Sequence, residues 1–294
     1  MRGWGQLRGR VRARGWRRVR AVDCTVDEIA GQAFVPPPRG ARWVRTVDDA
    51  LDLLDLLFDQ AADRWSARGG ARWWDGFYAD RGRPVPFFAD VPDESLVDWQ
   101  GRGLLGVGPG SQVLELGCGP GRNAIWLAGL GAEVDALDLS AEALAWGAER
   151  AAAAGVTVRF AQADVLRWQP PASGYDVVVD SGCFHHLPPH RRVSYLALLR
   201  RALRAGGRFA LACFAADGPQ GLTGTTAPDD DLYRSGSLGG GVAYSDDDLR
   251  AVFADLDPVE IRRMADVPDG AATFGRDFLW AALLRAGDRP VPRG

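Results

Sequence analysis

Residues 113–123, Val-Leu-Glu-Leu-Gly-Cys-Gly-Pro-Gly-Arg-Asn, set a buried-strand run directly against three glycines and the start of a helix. Glycines at such a junction take positive φ and let a ligand approach the backbone, and the helix N-terminus turns free N–H groups toward negative charge. The turn therefore predicts a nucleotide-like cofactor. Around it, strand-like runs at 112–116, 133–138, 157–162, 176–180, 208–213, 258–264 and 276–284 alternate with helical patterns at 122–130, 141–154, 189–204 and 246–255. That alternation predicts an α/β fold: a parallel sheet with helices on both faces and ligands at the carboxyl ends of its strands. Gly206-Gly207 is expected to cap the helix before it.

Two cofactor classes compete for this turn. A dinucleotide site is spaced G-x-G-x-x-G, whereas an S-adenosylmethionine site is spaced G-x-G-x-G with an acid two residues ahead. Here the third glycine is Gly121, Arg122 stands where the dinucleotide pattern needs glycine, and Glu115 is the acid, so the spacing favours S-adenosylmethionine. Asp138 ends the second strand and suits the ribose hydroxyls in either class. Asp164 closes the third strand and can accept from an adenine amino group, with Leu139 and Val165 on the two faces of the ring.

On these residues the chain resembles the class I S-adenosylmethionine-dependent methyltransferases over roughly residues 107–284. More locally, Gly119–Asn123 together with Asp180-Ser181-Gly182-Cys183-Phe184-His185-His186-Leu187-Pro188-Pro189 is similar to the thiopurine and tellurite-resistance group of small-molecule methyltransferases. The resemblance implies a Rossmann-like seven-stranded sheet, six strands parallel and the last antiparallel, with S-adenosyl-L-methionine across the first turn. It implies cofactor-binding roles for Glu115, Gly117, Cys118, Gly119, Gly121, Asn123, Asp138, Leu139, Asp164, Val165 and Asp180.

All three histidines, His185, His186 and His190, follow the fourth strand within six residues, where such an enzyme places its substrate. One of the adjacent pair can take a proton from a hydroxyl, thiol or amine, with the rate rising through a pH near ~6.5. Adjacent side chains diverge, so at most one of His185 and His186 faces the acceptor. Cys183 with the histidines lacks a fourth ligand, and no metal is expected.

Thr46 opens a helical pattern of Val47, Leu51, Leu54, Phe58, Ala61 and Trp65, and residues 73–88 follow as an aromatic, proline-rich stretch without a regular period. A short helix near 94–102 leads on to the core. We read residues 41–106 as an N-terminal helical and aromatic lid, with Trp74, Tyr78, Phe87 and Phe184 as acceptor contacts, and 107–294 as the core. The glycine-rich stretch 215–244 reads as a structureless substrate loop. Asp246-Asp247-Asp248 suits a helix N-terminus.

Composition removes other classes. Every one of the 35 basic residues is arginine, which excludes a Schiff-base or phosphate-loop lysine. The first 20 residues hold eight arginines and no acid, leaving 27 basic against 38 acidic residues elsewhere. Residues 1–40 read as a disordered tail ending in the linker Pro36-Pro37-Pro38, or as an arm for nucleic acid or an anionic membrane. Four scattered cysteines without a C-x-x-C pair, and no long apolar run, fit a cytoplasmic protein. The acidic core and the lack of an Asn/Asp-Pro-Pro-aromatic tetrad disfavour a nucleic-acid methyltransferase, and a cofactor-binding protein without transferase activity is the third class. The expected partner is a small-molecule methyl acceptor, with no membrane and no prediction for the oligomeric state.

Overall fold

The structure is a computed structural model that describes residues 42–58, 64–65, 69–219 and 223–288. The arginine-rich tail, its proline linker and Cys24 lie outside the described residues.

Seven strands form one sheet: β1 Gln112–Leu116, β2 Glu133–Asp138, β3 Arg159–Gln162, β4 Tyr175–Ser181, β5 Leu203–Phe214, β6 Leu256–Arg263 and β7 Leu279–Ala286. Their order is β3-β2-β1-β4-β5-β7-β6. The pairs β1–β2, β1–β4, β2–β3 and β4–β5 are parallel, and β7 runs antiparallel to both β5 and β6. Six strands therefore share one direction, as the resemblance implied. Strand order reverses between β1 and β4, so the glycine turn after β1 and the histidine segment after β4 emerge side by side.

β1 is central and buried on both faces, which is why Val113, Leu114 and Leu116 are apolar on either side of the strand. Val113 and Leu116 belong to two different apolar clusters on opposite faces of the sheet. Among the described residues eight α-helices surround the sheet: α1 Val47–Leu57, α2 Gly70–Ala79, α3 Glu94–Gly101, α4 Arg122–Gly129, α5 Ala141–Ala154, α6 Arg191–Ala202, α7 Asp229–Ser235 and α8 Asp246–Val252. Local chemistry sets several of their ends. Thr46 and Asp49 form a capping box on α1, Ser245 and Asp248 form one on α8, and Ser140 caps α5, which stops at the left-handed Gly155. No described helix is long and apolar enough to cross a membrane.

Several sequence expectations need correction. Gly206-Gly207 caps no helix: α6 ends at Ala202, and both glycines lie inside β5, where a register shift opposite β4 needs their compactness. A Cβ on Gly207 would lie 2.9 Å from the Arg204 carbonyl oxygen, so packing and not helix termination selects it. The first helix stops at Leu57, with Phe58 already extended, and does not continue to Trp65. The aromatic stretch has a period after all, since Trp74 and Tyr78 are one turn apart on α2 and stack at 5.9 Å. The 215–244 stretch is not structureless: it contains α7, bridges Ala215 to Tyr244 and Thr225 to Val242, and buries Leu232, Leu238 and Tyr244 in the core.

Charge docks α1. Its inner face buries Asp52 and Asp55, and Arg191 at the start of α6 donates to both, with Nε 3.1 Å from each Asp55 oxygen. His190 Nε2 lies 2.6 Å from Asp55 and its Nδ1 lies 2.8 Å from the Tyr233 hydroxyl on α7. His190 is thus a structural link between α1, α6 and α7.

Candidate active site

Gly117, Gly119 and Gly121 have φ of +63°, +52° and +75°, the left-handed region that side chains avoid. Space demands glycine as well. A Cβ on Gly117 would sit 2.6 Å from the Cys183 Cβ, and one on Gly119 would sit 2.8 Å from the Tyr78 hydroxyl. The turn is therefore a bare backbone cradle roofed by Tyr78 from α2 and flanked by Cys183 after β4. Cys118 is buried beside it. Burial and the nearby Asp138 carboxylate push the Tyr78 phenol well above its usual range, so it carries its proton over the cradle.

Two acids frame the turn. Asp138 is buried, and its oxygens accept from Gly119 N and Ser140 N, both at 2.8 Å. Burial raises its pKa to about 6, so it is ionised above that pH. Asp75 on α2, which no sequence signal marked, accepts from Ser140 Oγ at 2.8 Å and ties the helix to this corner. Glu115 lies beneath the turn with Oε2 shut away from water and unpartnered, while Asn123 and the Ala124 N–H donate to the carboxylate. Burial lifts Glu115 to about 8.

A second unforeseen residue organises this floor. Asp93 stands at the N-cap position of α3 but does not cap it; its Oδ1 lies 2.5 Å from Arg122, and Asn123 Nδ2 donates to Oδ2 at 3.2 Å. Arg122 also donates to Ser181 Oγ at 2.9 Å and lies over the Phe274 ring, joining the glycine turn to the end of β4. The signal available for Asp93 was an acid before a helix, which ordinarily reads as a cap.

At the adenine end, Asp164 is buried and accepts from Leu166 N at 2.9 Å, with Val165 buried and Leu139 half-buried beside it. These residues fit S-adenosylmethionine by two observations: the side-chain-free cradle, and an orphaned Glu115 oxygen where a donor from the methionine portion can bind. Glu115, Gly117, Gly119 and Gly121 would hold that portion, Asp138 the ribose, and Asp164 with Leu139 and Val165 the base.

Two expected contacts change role. The Asp180 carboxylate is engaged within the chain: it accepts from the N–H groups of Gly182, Cys183 and Phe184 and from the Tyr195 hydroxyl at 2.5 Å, fixing the 183–186 turn. Phe184 touches no acceptor space; it is fully buried among Tyr195, Tyr244 and Phe253. Phe87 stacks on Phe77 at the rim of α2 and is partly exposed.

The two histidine rings do not diverge as expected: their centroids lie 4.4 Å apart, edge to face. His185 is buried and stacked on Phe214, with centroids 3.7 Å apart, and burial drives its pKa far down. His186 packs against it and lies 5.2 Å from the Trp74 ring, with Nδ1 2.8 Å from the Gly240 carbonyl oxygen. A carbonyl only accepts, so Nδ1 carries the proton and Nε2 keeps its lone pair in the neutral ring. Burial holds His186 at about 4, the Gly240 bond working against the shift and the Arg64 charge reinforcing it. The ring lines a small cavity shared with Arg64, Trp65 and residues 237–240.

Two consequences are measurable here. Asp138→Asn should weaken S-adenosylhomocysteine binding by ~1.5–3 kcal/mol in calorimetry at about pH 8, through lost charge-assisted hydrogen bonds. An unchanged dissociation constant removes Asp138 from the site. Glu115 binds its proton more tightly folded than unfolded, so its contribution to stability is full below the ordinary value of 4.5 and lost as pH rises through about 8. In cofactor-free protein, Glu115→Gln should flatten the fall in urea midpoint over that window; an identical slope would show that the carboxyl stays unstrained.

The comparisons agree with this geometry. The family described as methyltransferase domain matches residues 113–207. An uncharacterized methyltransferase of Schizosaccharomyces pombe, C750.03c, is 32% identical over 103 residues, 35% of this chain and 71% of that protein. A ubiquinone biosynthesis O-methyltransferase of Paraburkholderia phytofirmans is 40% identical over 81 residues, 27% of this chain and 34% of its own length. A solved structure from work on the conversion of a disulfide bond into a thioacetal group during echinomycin biosynthesis is 26% identical, covering 74% of this chain and 92% of that one with a TM-score of 0.58. With a class I sheet order, a side-chain-free glycine cradle and a relative matched over most of its length, the chain belongs to the methyltransferase family.

Proposed function

We propose that the protein methylates a small molecule on oxygen or sulfur, with S-adenosylmethionine as donor and His186 as the base. The observation that carries this reading is the fixed tautomer of His186, which lines a small cavity and meets Trp74, itself stacked on the Tyr78 that roofs the glycine turn. When bound, S-adenosylmethionine supplies a methyl group on a sulfonium that leaves as a neutral thioether, so the protein has to supply alignment and a place for the acceptor's proton. Alignment comes from the rigid frame of Asp138, Glu115 and the glycine backbone, an effect worth up to ~7–11 kcal/mol in intramolecular models. Trp74 and Tyr78 wall the acceptor side and exclude water. His186 Nε2 takes the proton.

The named relatives support a small acceptor: one is an O-methyltransferase of ubiquinone biosynthesis, and another concerns a sulfur centre in echinomycin biosynthesis. The likeness of residues 119–123 and 180–189 to the thiopurine and tellurite-resistance group supports the same acceptor size. A screen of phenols, thiols and carboxylic acids with methyl-labelled donor, run beside duplex DNA, tests the reading. Label in a phenol or thiol supports it; label only in DNA, or binding of donor without any transfer, overturns it.

A further inference from the structure

We propose that the cavity between Arg64, His186 and the 237–240 turn receives an anionic group of the acceptor, a carboxylate or similar oxyanion, with the Arg64 guanidinium as its counter-ion. The assignment rests on the small-acceptor reading above and names the class of acceptor.

Arg64 is unusual in its partners. Its Nη1 donates to the Gly240 carbonyl oxygen at a long 3.5 Å, its guanidinium lies 4.2 Å over the Trp73 ring, and Nε is shut away from water without a hydrogen-bond partner. Among the described residues no carboxylate lies within salt-bridge distance of it. The buried arginines elsewhere are matched, Arg122 to Asp93 and Arg191 to Asp52 and Asp55. A half-buried cation without a counter-ion costs folding energy, which a bound anion removes.

The walls suit such a group. Trp65 and Leu238 are apolar, and among the described residues no acid lines the cavity to repel an anion. Ser237 Oγ accepts from Gly239 N at 3.1 Å, which leaves its hydroxyl hydrogen for an oxyanion. The planar fork of arginine fits a carboxylate with two parallel hydrogen bonds, a match that a point charge lacks. His186 shares the wall, so an acceptor held by Arg64 brings its nucleophile close to the base. Arg64 is also one cause of the weak basicity of His186, and an anion beside it relieves that effect.

Benzoate and benzamide, equal in shape and different in charge, are the probes, titrated by ligand-observed NMR into the full chain with S-adenosylhomocysteine present. Wild-type protein should bind benzoate at least ~10-fold more tightly, as expected for a charge-assisted pair. Arg64→Gln should bring the two within about twofold, while Arg64→Lys, which keeps the charge, retains a preference. Equal binding by the wild type, no benzoate binding, a preference that survives in Arg64→Gln, or one that is lost in Arg64→Lys would overturn the assignment. If Arg64→Gln does not fold, the wild-type comparison and Arg64→Lys still decide. No methyl transfer enters the titration, so a failure here is separate from a failure of His186 as base.

Discussion

Replacing His186 with alanine should lower turnover of a hydroxyl acceptor by ~10²–10⁴-fold while cofactor affinity stays within about twofold, the range for loss of a positioned general base. The acceptor must shed a proton as its oxygen bonds to carbon, and the His186 lone pair is presented by the Nδ1 contact with Gly240. The structure moves the acid limb of the rate profile from the ~6.5 of a free imidazole to about 4, because burial penalises the charged ring. The sign follows directly: the ring is a base only when neutral, so rate rises with pH through about 4 and is flat from there to neutrality. His185→Ala is the comparison: that ring packs against Phe214 and against His186, so its loss should cost stability and lower turnover far less than His186→Ala. Near-native turnover by His186→Ala would end the base assignment and leave alignment as the whole of catalysis. Thiol acceptors are the weaker test, because a thiol with a pKa near ~8.5 already supplies some thiolate.

Asp55→Ala should cost ~3–5 kcal/mol of folding stability, since it strands the buried Arg191 cation and removes the acceptor of His190 Nε2. Burial works against the Asp55 charge, yet hydrogen bonds from His190 and Arg191 outweigh it and hold the pKa below the ordinary 3.8. A depressed carboxylate stabilises the fold above its unfolded pKa and loses that contribution as pH falls through the folded one. The cost should therefore be full at neutral pH and shrink in acid below about 4. Urea denaturation of the two proteins at neutral and acid pH measures it. A loss under ~1 kcal/mol at neutral pH would mean that Asp52 alone compensates Arg191 and that α1 is held by apolar contacts.

The sheet, its strand count and the cofactor corner were legible because each depends on short-range rules. Val113 to Asn123 is one continuous segment, and a strand that ends in glycines at positive φ needs no distant partner to be recognised. Asp138 ends β2, and Asp164 lies two residues past the end of β3. Boundaries slipped where a tertiary contact chose the residue: Gly207 reads as a helix cap until β4 is placed against it. Phe184 and Asp180 sit in a segment that correctly pointed to the site, but the segment alone does not say which side chains turn inward to the core.

By itself the sequence determined the α/β class and the glycine cradle, both consequences of backbone sterics and of side-chain periodicity along a few consecutive residues. Tertiary structure decided which polar groups meet. Asp93 reaches Asn123 across 30 residues of chain, Asp75 reaches Ser140 across 65, and Arg64 reaches Gly240 across 176. Such pairings depend on how whole helices dock over the sheet and on where a buried charge can find a partner, and no local pattern encodes either. The same docking fixes the His186 tautomer and makes that ring, and not its neighbour, the candidate base.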